Sequence, residues 1–337
     1  MDDLFSDAVE RLFEQISTPA AIRRVEAGES IEPLWNAIEE SGFLNALIPE
    51  ASDGAGLTLV QAFPLFLSAG RYAVPVPFAQ TMLARAYLTQ AGVTVPAGPI
   101  ALLGSIAAPE AGQPLRTIVP FGQVAQWLLS SVGGQTLLLP LQASSRGATA
   151  GHGSLTVEVQ WAEGMNAATR VPALPQDDVR IDSLAAASYA ALIAGAADHV
   201  LNLTLEYASQ RTQFGKPIGR FQAVQNQISI MAERAWVARM AAQLACQSAD
   251  WRPSLLMAAV GKARASEAAA IVADISHAMH GAIGITEEYD LQLYTRRLRE
   301  WRHACGAETY WEGRLGQALL NRQNETALSF MCHELAP

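Results

Sequence analysis

Apolar residues follow two different rhythms along this chain. Near the start, Ala8, Val9, Leu12 and Phe13 recur at helical spacing, and Leu34, Ile38, Leu44 and Leu47 repeat it. That period lines one side of an α-helix. The turn cluster Pro49-Glu-Ala-Ser-Asp-Gly-Ala-Gly56 interrupts it. A helical pattern resumes over 60–69, with Pro64 near its start, and Pro75, Pro77 and Phe78 divide it from another over 80–90. Beyond residue 98 the rhythm shortens. Apolar runs at 100–103, 117–119, 127–129, 135–139 and 155–159 alternate with Gly133-Gly134, Gly147 and Gly151-His-Gly153, which predicts a small antiparallel β domain. Helical spacing then returns over 184–210, 221–249, 254–279, 287–299 and 308–323. Trp251-Arg-Pro253 and Gly281-Ala-Ile-Gly284 break the run between helices, and Thr286 is placed to cap the 287–299 helix. Long helices on short connections predict an antiparallel bundle.

The expected fold class is therefore α+β. It has an N-terminal helical domain over 1–97, a middle β domain over 98–179 and a C-terminal helical bundle over 180–337. Pro172-Ala-Leu-Pro175 followed by Asp177-Asp178 marks the exit linker from the middle domain. No internal repeat or low-complexity tract is visible.

Composition narrows the function classes. Half of the 337 residues are hydrophobic and 16% are charged, which suits a large core or much surface covered by partner subunits. A net charge of -9, with no basic patch carrying interleaved aromatics, argues against nucleic acid as a ligand. The uncharged apolar run 183–197 is Ala-rich and falls short of the roughly 20 residues that span a bilayer. The start, Met1-Asp-Asp-Leu-Phe, lacks the features of a signal peptide. Cys246, Cys305 and Cys332 make neither a disulfide framework nor a zinc site. No membrane span, no metal and a reducing cytoplasm are the expectations.

One stretch carries candidate chemistry. Arg211-Thr-Gln-Phe-Gly-Lys-Pro-Ile-Gly-Arg-Phe-Gln-Ala-Val-Gln225 lies between two Ala-rich helical patterns. Helix interiors disfavour Gly and Pro, so Gly215-Lys216-Pro217-Ile218-Gly219 predicts a loop. A planar guanidinium and amide donors beside aromatic rings suit a diphosphate carrying an aromatic base. The alternative is a loop whose arginine pairs with a carboxylate and whose aromatics belong to the core.

Tyr207-Ala-Ser-Gln-Arg211 followed by Gln213-Phe214-Gly215 resembles the FAD-contacting signature of the acyl-CoA dehydrogenase family. The helical–β–helical order resembles that family from end to end. The resemblance implies that Arg211 and Gln213 bind the pyrophosphate of FAD held by a neighbouring subunit. It places Phe214 near the cofactor and Phe221 and Val224 on the adenine side. It extends to Ala278-Met-His-Gly-Ala-Ile-Gly284-Ile-Thr286, where His280, Gly281, Gly284 and Thr286 match the family pattern. Ala278 and Ala282 replace a glutamine and a glycine there. Gly281 is the candidate contact, because glycine lets backbone approach a diphosphate closely; an ordinary helix–helix turn is the alternative. Arg296 and Arg297 are expected at the end of the next helix, where cations are favourable without a ligand.

The resemblance also implies α,β-desaturation of an acyl-CoA thioester, in which a carboxylate takes the α-proton while FAD takes the β-hydride. The usual glutamate positions are here Cys305 and, early in the first C-terminal helix, Ala185. The stretch 184–191 contains no carboxylate. Cys305 has no evident cationic partner and reads as a small buried residue; Glu300 and Glu308 are the substitutes near it in sequence. Gly104-Ser-Ile-Ala-Ala-Pro-Glu-Ala-Gly112 does not reproduce the loop that covers the flavin ring in the family.

Together these features resemble the short, base-lacking subunit of bacterial heterotetrameric acyl-CoA dehydrogenases, some of which act on steroid side-chain thioesters. The implied partners are a homologous subunit, an acyl-CoA and an electron-transfer flavoprotein or similar acceptor. The alternatives are a self-sufficient homotetramer using an unrecognised base, a flavin-free structural partner, and a flavin hydroxylase or oxidase on the same fold.

Overall fold

The computed structural model describes residues 2–110, 112–149, 151–162, 166–174, 180–322 and 326–334. The linker residues Pro175, Asp177 and Asp178 and the expected helix end at Gln323 lie outside the described residues.

Helices open the chain: α1 (Asp2–Ile16), α2 (Pro19–Glu26), α3 (Glu32–Glu40), α4 (Leu59–Arg71) and α5 (Phe78–Gln90). The helical spacing buries Val9, Phe13, Ile22 and Ile38 completely. Thr18 caps α2 by accepting the Ala21 N–H, and Pro19 sits in the first turn, where no N–H is required. Thr58 and Gln61 close α4 with a reciprocal capping box.

Among the described residues seven strands follow: β1 (Ile100–Ile106), β2 (Leu115–Val119), β3 (Trp127–Val132), β4 (Gln135–Pro140), β5 (Ser145–Ala148), β6 (Val157–Trp161) and β7 (Thr169–Arg170). They form two sheets, ordered β1-β3-β4-β7 and β2-β6-β5. Leu128, Leu139, Val159 and Trp161 belong to a hydrophobic cluster distinct from the main core. Gly133 and Gly134, both at positive φ, make the two-residue turn between β3 and β4. One pair corrects the antiparallel expectation: β1 and β3 run parallel, with Leu102 opposite Leu129. The chain visits the other sheet through β2 before returning as β3, and that crossover permits the parallel placement.

The C-terminal helices are α6 (Ile181–Gln210), α7 (Gln222–Ala245), α8 (Leu255–His280), α9 (Leu291–His303), α10 (Glu308–Leu320) and α11 (Ala327–Glu334), with the short strands β8 (Thr212–Gln213) and β9 (Lys216–Pro217) between α6 and α7. The central helix, α6, packs against α4, α7, α8 and α9. Where it crosses α4, a Cβ on Gly195 would lie 1.9 Å from the Leu67 carbonyl, so glycine is required for the helices to approach this closely. At 30 residues α6 is long and apolar enough to cross a bilayer by length and composition. The shorter run 183–197 understated it. What it does instead is bury that surface: 89% of its most apolar window is covered inside the molecule.

Two further expectations are corrected. Thr286 does not cap α9; it ends the short 3-10 turn Gly281–Ile285, its hydroxyl donates to the Ile283 carbonyl, and α9 starts at Leu291 after Asp290. With α9 shifted to Leu291–His303, Arg296 and Arg297 lie within it rather than at its end. Arg297 is 1% exposed and pairs with Glu26 at 2.7 Å and Glu300 at 2.6 Å; Arg296 pairs with Glu26 at 2.7 Å. This buried ion network ties α2 to α9.

Candidate functional site

The motif run folds as a projecting hairpin. The Arg211 N–H closes α6 on the Tyr207 carbonyl at 2.8 Å, and the Ile218 N–H returns to the Arg211 carbonyl at 2.8 Å. Thr212 and Gln213 pair with Pro217 and Lys216. Between them Phe214 (φ 51°) and Gly215 (φ 80°) turn the chain. Gly215 suits that region; a bulky residue such as Phe214 is strained there. Phe214 is 93% exposed. Its ring stands edge-on to Phe221 at 6.2 Å, and Lys216 Nζ lies 4.3 Å from the centre of the Phe221 ring. Arg211 is exposed and makes no ion pair among the described residues. The alternative of a carboxylate-paired arginine with core aromatics is therefore not what the chain builds. Phe221 and Val224 are half-buried at the start of α7, and a groove of about 520 Å³ runs behind the hairpin past Ala208, Gly219 and Ile228. Gly281 (φ 64°) follows α8 and is exposed. The stacked rings of Tyr207 and His280 bring its turn beside the hairpin.

A second feature is a cleft of about 480 Å³ between the β region and the C-terminal helices, walled by Gly104, Ser105, Ser154, Thr156, Asp182, Glu300 and Cys305. Cys305 adopts φ 57° and Gly306 φ 99°, a tight turn after α9. Burial pushes the Cys305 thiol up to about 11, although the Gly104 N–H and Lys262 work in the opposite direction. The sequence offered no cation for Cys305; the fold supplies Lys262 from α8. Its buried ammonium donates three hydrogen bonds of 2.8 Å, to Ser266 Oγ, the Arg302 carbonyl and the Gly306 carbonyl. Burial lowers its pKa to about 7.

The carboxylates nearest the cleft are engaged. Burial raises the Glu300 pKa, but Arg297 and donors from Ser154 and Thr156 outweigh it and hold the carboxyl below its usual range. Glu308 is not part of the cleft wall; its hydrogen bond from Arg302 outweighs burial and holds it down to about 2. Ala185 is fully buried in α6. Asp182, one turn earlier on the same helix, reaches the cleft wall. Its two oxygens accept the Ser105 N–H at 2.8 Å and the Ser105 hydroxyl at 2.7 Å. A search confined to 184–191 passed over Asp182, although three-residue spacing on a helix face was signal enough to include it.

Residues 184–320 match the family model for the acyl-CoA dehydrogenase C-terminal domain. The acyl-CoA dehydrogenase IpdE2 of Mycobacterium tuberculosis is 31% identical over 303 residues, covering 87% of this chain and 89% of its own. The chain belongs to the acyl-CoA dehydrogenase family. Its fold is also that of the solved ChsE4-ChsE5 complex from Mycobacterium tuberculosis, with a TM-score of 0.77 at 22% identity over 95% of this chain and 97% of that one. A variant of the steroid ACAD Tcur3481-Tcur3483 superposes with a TM-score of 0.78 at 23% identity, over 95% and 98%.

Acyl-CoA dehydrogenases are FAD-dependent oxidoreductases acting on a CH–CH bond of an acyl-CoA. The two features of this acyl-CoA dehydrogenase chain fit that cofactor unequally. The edge of a flavin ring is rich in hydrogen-bond acceptors and needs donors. In the cleft the Ser105 donors are spent on Asp182, and the Ser154 hydroxyl and the Thr156 N–H on Glu300. Those donors are not available to a flavin ring. The hairpin offers a guanidinium without an ion pair among the described residues and an exposed Phe214 ring, groups of the kind that suit a pyrophosphate with an attached base.

Proposed function

We propose that this chain is the base-lacking subunit of a heteromeric FAD-dependent acyl-CoA dehydrogenase, completing the FAD site of a homologous partner subunit. Arg211 and Gln213 bind the pyrophosphate, Phe214, Phe221 and Val224 flank the adenine end, and Gly281 offers backbone close by. FAD, held chiefly by the partner, would supply the acceptor for the β-hydride of the substrate. The α-proton goes to a base that this chain does not provide. Its substrate is an acyl-CoA, with a steroid side-chain thioester favoured by the likeness to the steroid ACAD, and an electron-transfer flavoprotein or similar acceptor reoxidises the flavin.

The observation that carries the reading is the hairpin tip: a strained Phe214, 93% exposed, beside an arginine with no ion-pair partner among the described residues. Such groups are costly to display unless something covers them. The occupied carboxylates and the cysteine at the base position add to it. The test is co-expression with a homologous subunit that carries the glutamate, followed by flavin quantification per chain. We expect flavin in the complex, little on the isolated chain, and loss from the complex with Arg211→Ala. Full flavin loading and turnover by the isolated chain would sink the proposal.

One observation favours a second reading. Asp182 stands one helical turn from the Ala185 position and lines the cleft. In a self-sufficient homomer it would be the base, and Asp182→Asn would abolish turnover of a flavin-loaded single-chain preparation. Its two bonds from Ser105 argue against this role.

A further inference from the structure

We propose that Tyr207, His280 and Tyr289 form an aromatic brace that sets the hairpin after Arg211 in register with the turn after Gly281, with His280 as the positioning residue. The inference rests on the cofactor reading of those two segments given above. Tyr207 lies on the last turn of α6, and its carbonyl accepts the Arg211 N–H, so its ring and the hairpin's first residue share one helix end. His280 is the last residue of α8, immediately before Gly281. The two rings stack with centroids 4.3 Å apart and planes inclined by 27°. Tyr289 closes the cluster at 5.3 Å from His280 and 6.4 Å from Tyr207. The Tyr207 hydroxyl donates to the His280 carbonyl at 3.4 Å, tying ring to backbone.

The chemistry of His280 suits a rigid spacer. Nδ1 lies 2.8 Å from the Ser276 carbonyl, which can only accept, so the proton is on Nδ1. Nε2 is then a bare lone pair, buried and without a partner among the described residues. Burial lowers the pKa of the ring, which keeps it neutral for stacking. The imidazole works as a flat aromatic plate pinned to its own helix. The hairpin is meanwhile seated on α6: a Cβ on Gly219 would lie 3.1 Å from the Ala208 carbonyl. Moving the ring stack therefore moves α6's end, and the hairpin with it, relative to the Gly281 turn.

Two measurements test this. In the isolated chain, hydrogen exchange of residues 211–221 is compared for wild type, His280→Ala and His280→Phe. In the assembled complex, FAD is titrated into the apoprotein with the same variants. We expect His280→Ala to speed exchange and weaken FAD about tenfold, the scale of one lost aromatic pair, and His280→Phe to restore both because the plate remains. If His280→Ala does not fold, Tyr207→Leu removes the opposite plate and carries the same expectation. Unchanged exchange and affinity in the alanine variant, or failure of phenylalanine to rescue, overturns the brace. Arg211→Ala separates the two ideas. If it weakens FAD while His280→Ala leaves FAD unaffected, the brace alone is wrong; if Arg211→Ala has no effect on FAD, the cofactor reading falls and the brace loses its role with it.

Discussion

Lys262→Met perturbs the most buried cation in the molecule. Lys262 has a folded pKa of about 7 against an ordinary value of 10.5, with burial as the main cause. Well below pH 7 both folded and unfolded chains hold the proton, so the group contributes no slope there. Between pH 7 and 10.5 the unfolded chain holds a proton that the folded chain has released, and stability rises with pH. The limiting slope is about 1.4 kcal/mol per pH unit. Half the folded molecules have already lost the proton at pH 7, so the gain from pH 7 to 8.5 is about 2 kcal/mol. Methionine matches the length of the stem and does not titrate. It also leaves the Gly306 carbonyl without its donor, a constant cost of about 1–3 kcal/mol. The Arg302 carbonyl keeps the Ser266 hydroxyl at 3.3 Å. Urea unfolding of both proteins at pH 6, 7, 7.75 and 8.5 measures the difference; Cys246 is common to both proteins, and the folded Cys305 thiol, at about 11 and higher still without Lys262, keeps its proton across this range in each. Wild type should gain on the variant by the stated amount between pH 7 and 8.5. Parallel stability curves across that range would refute the assignment of a buried, titrating Lys262 at the Cys305 turn.

Other outcomes follow from single features. Phe214→Gly removes a strained positive φ and no buried contact, so the melting temperature of the isolated chain should hold or rise, by the equivalent of about 1 kcal/mol, while FAD binding by the complex weakens. Glu26→Ala leaves Arg296 and Arg297 without their shared carboxylate at a buried site and should cost about 3–5 kcal/mol in denaturant unfolding. His199 stacks on Tyr294 and is held down to about 4, with burial the largest cause and Arg71 adding to it. Its folded pKa lies below its unfolded one, so stability is lost as pH falls from 6.5 towards 4, by up to about 3 kcal/mol. His199→Gln should flatten that part of an acid-unfolding curve.

How far the sequence could be read depended on the range of each interaction. The α6 and α8 helices follow from Ala-rich runs with no internal proline, a helix propensity that is local. The loop after Arg211 also follows locally, because Gly215, Pro217 and Gly219 bar a helix; its closure as a hairpin turning at Phe214-Gly215 came from the structure. The α9 boundary failed because Thr286 and the glutamates after it look like a cap. The chain instead makes another turn, with Thr286 bonded back to Ile283. Arg297 failed for a different reason. A buried arginine is possible here because Glu26 meets it from α2, and no local pattern signals a partner at that distance along the chain.

The sequence by itself determined the succession of helical and β segments, the loop after Arg211 and the absence of a glutamate at Cys305 and Ala185, because each depends on residues within a few positions of one another. Tertiary structure alone decided that Asp182 consumes the Ser105 donors, that Lys262 holds the Cys305 turn, and that Tyr207 meets His280. Those pairings arise when helices far apart in the chain pack together. Burial then sets their strength, because a charge or donor removed from water must find its partner within the fold.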